Sequence, residues 1–316
     1  MNLPLLTIFS APKGFKDPHI ATIQGNAIQS WTHLGPDVQV ILVGQEDGLA
    51  EAAARLCVLH LPDVARNKEG TPLVSSIFRL AREHSTSPVL AYVNADMILM
   101  SDFVEAAHLV SERMEKFLLV GQRWDLAVTT PLDFSGDWQT RLKEWCDQQG
   151  EMNLPHGSDY FIFPRTCFEE IPDFAIGRAG WDNWMIYQAR REHWATINAT
   201  SAIHDIHQQH DYSHLPGGVP HYHLPESDEN LRLAGGRLRK NFTLLDTDRR
   251  LDQARLVRPA WSLKKILREA EILPLVAWRT ETLALPFYYL FHPIQAVSQA
   301  YNRLSAVVRK GAAQNH

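Results

Sequence analysis

Cysteine is scarce: Cys57, Cys146 and Cys167 are the only three in 316 residues, an odd number at wide spacing. That argues against a disulfide framework or a thiolate zinc site and fits free thiols in a reducing compartment. Positive charge is not in excess either. Lys and Arg number 31 against 36 Asp and Glu, a net −5, so the chain as a whole lacks the basic field that nucleic acid or an anionic membrane selects. No run of about 20 apolar residues exists to span a membrane, because the most hydrophobic stretch, 272–297, is broken by Arg279, Glu281, His292 and three prolines. The N-terminus, MNLPLLTIFSAPKG, has no basic leader and is interrupted by Pro4, so it reads as a first strand rather than a secretory segment. Internal repeats, low-complexity tracts and the glycine fingerprints of dinucleotide and P-loop sites are also missing.

What is present is ordinary globular composition, 45% hydrophobic and 21% charged, at a length that suits two domains or one large α/β domain with an extension. The first 120 or so residues alternate short apolar runs with helical patterns, the signature of βαβ units that build a mostly parallel sheet flanked by helices. Strands are expected near 5–9, 38–43, 58–61, 89–93 and 117–121, with helices at 20–33, 49–56, 72–83 and 102–116. From 122 to 225 the pattern turns irregular and rich in Trp, His, Gly and Pro, as loops carrying binding groups are. The remainder reads as helical and basic.

Histidine is abundant, 15 in all, and six (His204, His207, His210, His214, His221 and His223) fall within twenty positions. His-x2-His-x2-His lacks the helical spacing of metalloproteases, and on a strand His207 would point opposite to His204 and His210. One or two metal ligands, with the others as hydrogen-bonding loop residues, is the reading adopted. Asn94-Ala95-Asp96 follows a buried strand at the edge where open α/β sheets bind ligands. Asp96 there either satisfies turn amides or holds a divalent cation that neutralises a diphosphate. Asp182, between Trp181 and Trp184, is either an acid favoured at a helix N-terminus or a base for a hydroxyl on a sugar stacked against an aromatic ring. Ser10-Ala11-Pro12-Lys13 and Asn67 to Pro72, which includes Gly70 and Thr71, are loops at the edge that holds Asp96, which makes a nucleotide crevice there.

Six segments in order, Ile-Phe-Ser-Ala-Pro-Lys, Arg-Asn-Lys-Glu-Gly-Thr-Pro-Leu, Tyr-Val-Asn-Ala-Asp-Met-Ile-Leu, Gly-Ser-Asp-Tyr-Phe-Ile-Phe-Pro-Arg, Gly-Trp-Asp-Asn-Trp and His-Gln-Gln-His-Asp-Tyr-Ser-His, resemble an uncharacterised, family-2-like group of A-type glycosyltransferases from bacteria and plants. The resemblance spans about residues 3–245. It implies an A-type α/β domain over 1–245, with a nucleotide-sugar half (1–121) and an acceptor half (122–245), followed by a helical extension over 246–316. It also implies transfer of a sugar from a nucleotide-diphosphate donor to a hydroxyl of a glycan or lipid-linked acceptor, with inversion. By the same resemblance Asp96 is the Mn2+ or Mg2+ ligand of an Asp-x-Asp-like motif in which Asn94 stands where many members carry a carboxylate. His207 or His210 completes that site. Asp182 is the base, with Trp181 in place of a Glu. Ser10, Ala11, Pro12, Lys13, Asn67, Gly70, Thr71, Asn94 and Ala95 contact the donor, and Arg123, Trp124, Asp125, the segment from His156 through Asp159 to Tyr160, Trp181 and Asn183 line the acceptor side.

Two other classes compete: a nucleotidyltransferase, which would release pyrophosphate, and a non-catalytic sugar-nucleotide- or metal-binding protein, which would retain stoichiometric metal. The chain is expected in the cytoplasm. Its basic, aromatic tail suits either peripheral membrane contact or a homodimer.

Overall fold

The computed structural model describes residues 4–156, 158–209, 224–236 and 242–294. Over the first 120 residues the alternation read from the sequence is what forms. Strands β1 (Leu6–Ser10), β2 (Val38–Val43), β3 (Leu59–Leu61) and β4 (Val89–Val93) are joined by helices α1 (Pro18–Thr32), α2 (Leu49–Arg55) and α3 (Val74–Glu83). A two-residue strand, β5 (Met97–Ile98), precedes α4 (Ser101–Ser111) and β6 (Phe117–Val120). β1, β4 and β6 are buried at every position, as strands covered on both faces must be. Helix α1 starts where Asp17 Oδ1 accepts the Ile20 amide at 2.9 Å and Pro18 supplies a preset first turn.

The stretch expected to be irregular is more ordered than its composition suggests. It contains β7 (Trp124–Leu126), α5 (Trp138–Gln149), β8 (Glu151–Met152), β9 (Tyr160–Pro164), α6 (Trp181–Arg191), β10 (Ala195–Asn198) and β11 (Ile206–Gln208). Beyond it come α7 (Pro225–Leu233), β12 (Arg249–Asp252), β13 (Arg255–Val257), α8 (Leu263–Val276) and α9 (Glu281–Phe291). The region read as wholly helical therefore includes two strands.

The central sheet has nine strands in the order β13-β12-β10-β6-β9-β4-β1-β2-β3. Five of its pairings are parallel, while β9 runs antiparallel between β4 and β6, and β13 antiparallel to β12. The expected α/β class, a mostly parallel sheet flanked by helices, is the fold observed. Since β12 and β13 extend this sheet, it continues past residue 245, and the compact unit ends at Pro259, with Ala260–His316 forming a second.

A smaller sheet, β5-β11-β7-β8, lies beside the first. Its β11 runs antiparallel to β5, pairing His207 with Met97, and parallel to β7, pairing His207 with Asp125. The three cysteines are free thiols.

Candidate active site

In a parallel strand the carboxyl end opens onto loops, and functional side chains gather there. β4 ends in Asn94-Ala95-Asp96, all partly buried. Asn94 does not face a ligand alone: its Nδ2 donates to Asp159 Oδ1 at 2.7 Å, its backbone amide to the Asp159 carbonyl at 2.8 Å, and its Oδ1 accepts from the Tyr92 hydroxyl at 3.1 Å. An amide can do both at once, whereas a carboxylate would face Asp159 as a like charge. This is a physical reason for Asn rather than an acid at position 94.

Asp96 is held from behind. Its carbonyl accepts from the Gln208 backbone amide (3.2 Å) and side-chain amide (3.1 Å), and the Gln208 Oε1 accepts from Asn26 Nδ2 of α1 at 2.9 Å. The neighbouring Met97 carbonyl accepts from Trp31 Nε1 at 2.9 Å. With its backbone fixed, Asp96 places Oδ2 3.8 Å from His207 Nε2. The other ring nitrogen, Nδ1, lies 2.7 Å from Asp125 Oδ1. Asp125 in turn accepts from Arg123 Nε at 2.9 Å, and Arg123 Nη1 donates to Asp159 Oδ2 at 2.8 Å. One continuous chain therefore runs Asp96, His207, Asp125, Arg123, Asp159, Asn94. Burial alone would raise the Asp125 carboxyl, but the His207 hydrogen bond and the Arg123 charge outweigh it and hold Asp125 below the usual carboxylate range.

A carboxylate on Nδ1, with Nε2 on the side of Asp96, is the arrangement by which second-layer acids orient metal-binding imidazoles. His210, the alternative ligand, lies outside the described residues, as do His214, His221 and His223. His204 goes elsewhere: its ring stacks on Trp124 with centroids 5.3 Å apart, and its backbone amide donates to Asp102 Oδ2 at 2.9 Å. Among the described residues no group of three or more His, Cys, Asp or Glu is arranged as a protein-only metal cage.

Asp182 stands in the first turn of α6, after Gly180, whose φ of +105° closes the preceding loop. Burial pushes its carboxyl up to about 6, and the nearby Asp159 charge adds to the rise while backbone amides of the helix start oppose it. The flanking tryptophans are not a sugar platform. Trp181 is 6% exposed and enclosed by Phe78, Tyr92 and Phe161, and Trp184 is 5% exposed against Phe174, because α6 needs both rings to bury its face on the sheet. Tyr160 is likewise corrected from acceptor contact to core residue: it is fully buried against Phe103, with its hydroxyl beside Gly121. Asn183 is a brace, donating to the carbonyls of Phe242 (2.7 Å) and His156 (3.3 Å). Trp124 and Asp159 keep partial exposure.

The two loops expected to contact a donor follow β1 and precede α3, respectively. Ser10 ends β1 with a buried hydroxyl that has no hydrogen-bond partner among the described residues. Ala11 and Pro12 lead to Lys13, whose backbone amide and carbonyl are both held by the Gln24 side chain (2.7 and 2.9 Å). Although Lys13 is exposed, crowding by neighbouring atoms lowers its ammonium, and the Asp96 charge counteracts that. Asn67 folds its own loop: its Oδ1 accepts from the amides of Glu69 and Thr71, and its Nδ2 donates to Glu226 of α7 at 2.7 Å. Gly70, at φ +85°, has nothing near its Cα that a side chain would meet.

Arg123 and Asp125, expected from the resemblance only to line the acceptor side, instead link Asp159 to His207; Gln208 and Glu46 beyond β2 were not anticipated from sequence. Glu46 pairs with Arg66 at 2.9 Å while its other oxygen is buried without a hydrogen-bond partner among the described residues. Asp205, fully buried with both oxygens lacking a described hydrogen-bond partner, has its carboxyl raised well above the ordinary range by that burial. The available signal was a polar residue set beside an apolar one within the short segments Trp-Asp-Leu and Ile-His-Gln.

No protein-family model and no curated protein matches the sequence. Among solved structures the chain is similar to a glucosyl-3-phosphoglycerate synthase from Mycobacterium tuberculosis, crystallised with Mg2+ and uridine diphosphate, at 14% identity over 66% of this chain and 73% of that one, with a TM-score of 0.41.

Proposed function

We propose that this chain is a glycosyltransferase that moves a sugar from a nucleotide-diphosphate donor to a hydroxyl of a glycan or lipid-linked acceptor, with inversion at the transferred carbon. The observation that carries the reading is the convergence of Asp96, His207 and Asp125 on one sheet edge, linked through Arg123 to Asp159, with the separate carboxyl of Asp182 within electrostatic reach of Asp159.

The donor set fits Mn2+ or Mg2+. One carboxylate and one imidazole, Asp96 and His207, are donors that would hold such a cation beside the phosphates of a nucleotide. Such a cation, when bound, offsets the charge that builds on the departing nucleoside diphosphate. Asp96 and His207 would hold it, and Asp125 would fix the ring of His207. Lys13, near Asp96, adds a second positive group toward the diphosphate. Glu46 at the end of β2 can accept hydrogen bonds from ribose hydroxyls. Asp182 accepts the proton of the attacking hydroxyl, and Asp159 and Trp124 border the acceptor space.

The assay is donor consumption across a panel of nucleotide sugars with manganese present. Asp182→Asn is expected to lose turnover while retaining nucleotide binding; retained turnover removes Asp182 as the base. Pyrophosphate instead of nucleoside diphosphate among the products would point to nucleotidyl transfer and contradict the reading.

A further inference from the structure

The acidic unit that carries the site and the segment that follows it have opposite surface chemistry. Residues 260–316 hold seven Lys and Arg against three Asp and Glu, a charge of +4, whereas residues 1–259 hold the other 24 against 33, or −9. Exposed apolar surface is divided just as unevenly. Ten of the fourteen exposed large hydrophobics among the described residues lie between Trp261 and Ile294.

Within α8 the pattern is specific. Ile272, Leu275 and Val276 are buried, which uses one stripe of the helix for packing. Leu263, Ile266, Leu267 and Leu273, at spacings of three, four and six, form a second apolar stripe that faces solvent. Trp261 before the helix and Trp278 after it are 67% and 51% exposed. Lys264, next to this stripe, is exposed too, while Lys265 and Arg268 are half-buried in ion pairs with Glu269 and Glu271, each at 2.9 Å. A soluble surface does not ordinarily leave so much apolar area uncovered in one place. Neither α8, of 14 residues, nor α9, of 11, can cross a bilayer, and each contains a proline.

We infer that α8 and its flanking tryptophans lie in the interface of an anionic lipid bilayer, the apolar stripe among the acyl-chain ends, the indoles at the headgroup boundary and Lys264 against lipid phosphates. Amphipathic helices with Lys or Arg beside an apolar face bind in this way, tryptophan concentrates at that depth, and each basic residue near an anionic leaflet adds attraction. The charge argues against the same segment of a second copy as the occupant, since two such segments face to face would bring like charges together. The inference is independent of the proposed transfer reaction.

The test is sedimentation of the full chain with phosphatidylcholine vesicles, with and without phosphatidylglycerol. Binding is expected only with the anionic lipid and is expected to fall by tenfold or more when salt rises from about 0.05 to about 0.5 M. Lys264→Glu should weaken it roughly tenfold, and Ile266→Ser with Trp261→Ser should remove most of it, with circular dichroism unchanged because all three side chains are exposed. No sedimentation with either lipid, or equal sedimentation with both, overturns the inference. A concentration-dependent dimer that the same substitutions abolish, without vesicle binding, assigns the face to a second copy and overturns it as well.

Discussion

The two sheets of this protein differ in what decides them. The nine-stranded sheet is built from runs such as Val89–Val93 and Tyr160–Pro164, buried at every position, where the identity of any one side chain matters less than its being apolar. The four-stranded sheet is made of segments of two or three residues, and in it register is decisive: the pairing of His207 with Asp125 on one side and Met97 on the other sets the imidazole between Asp125 and Asp96. A shift of one residue would send His207 to the opposite face. Scaffold strands are specified by composition, site strands by position.

The largest expected effect separates chemistry from both sheets. Asp182→Asn should lower transfer by roughly 10²–10⁴, the usual worth of a positioned base, with little change in stability. Because the fold raises this carboxyl to about 6, the charged base is disfavoured below that pH, and ionising it costs native stability as pH climbs from its unfolded value to about 6. The rate is expected to rise with pH through about 6 in the native protein, a limb that the Asn variant lacks. A rate independent of pH between about 5 and 7 would break this assignment.

Next, the comparison can be tested by crossing the two sheets. Ile162→Ala, in the fully buried β9, should cost about 2–5 kcal/mol in denaturant unfolding and leave manganese affinity of the folded protein unchanged. Asp125→Asn should do the converse, weakening manganese affinity about 10- to 100-fold at nearly constant stability. Should Ile162→Ala and Asp125→Asn move both quantities alike, the division between scaffold and site fails. Asn26 bridges the two, donating to Gln208 and to the Thr130 carbonyl and accepting from the Leu132 amide. Asn26→Ala is expected to cost roughly 1–3 kcal/mol, from buried partners left unsatisfied, and to weaken metal binding modestly because Gln208 holds the Asp96 backbone.

This difference also explains how far the sequence could be read. The alternation from Leu6 to Val120 was legible because strands and helices there are long and periodic enough for their apolar pattern to speak. Asp96 and Asp182 stood out since each follows a recognisable boundary, a strand end or a glycine before a helix. The strands β7 and β11 were not legible: Trp-Asp-Leu and Ile-His-Gln alternate too briefly to show a period, and their pairing joins residues about 80 positions apart. For the same reason Gln208 passed unnoticed, and Arg123 and Asp125 were legible only as residues lining the acceptor side, not as the link from Asp159 to His207. Trp181 and Tyr160 were misplaced in the other direction, because an aromatic ring beside a functional residue reads the same whether it stacks on a sugar or fills the core. Their burial, and the edge-to-face packing of Trp181 on Tyr92 and Phe78 and of Tyr160 on Phe103, is a tertiary fact.

The most direct measurement is calorimetric titration of a panel of nucleoside diphosphates into the protein, once with manganese and once with EDTA, repeated for Asp96→Ala. The account predicts that at least one nucleotide binds more tightly with manganese and that Asp96→Ala removes the difference while the protein stays folded. Equal binding with manganese and with EDTA across the whole panel, or a manganese effect that survives Asp96→Ala, would contradict it.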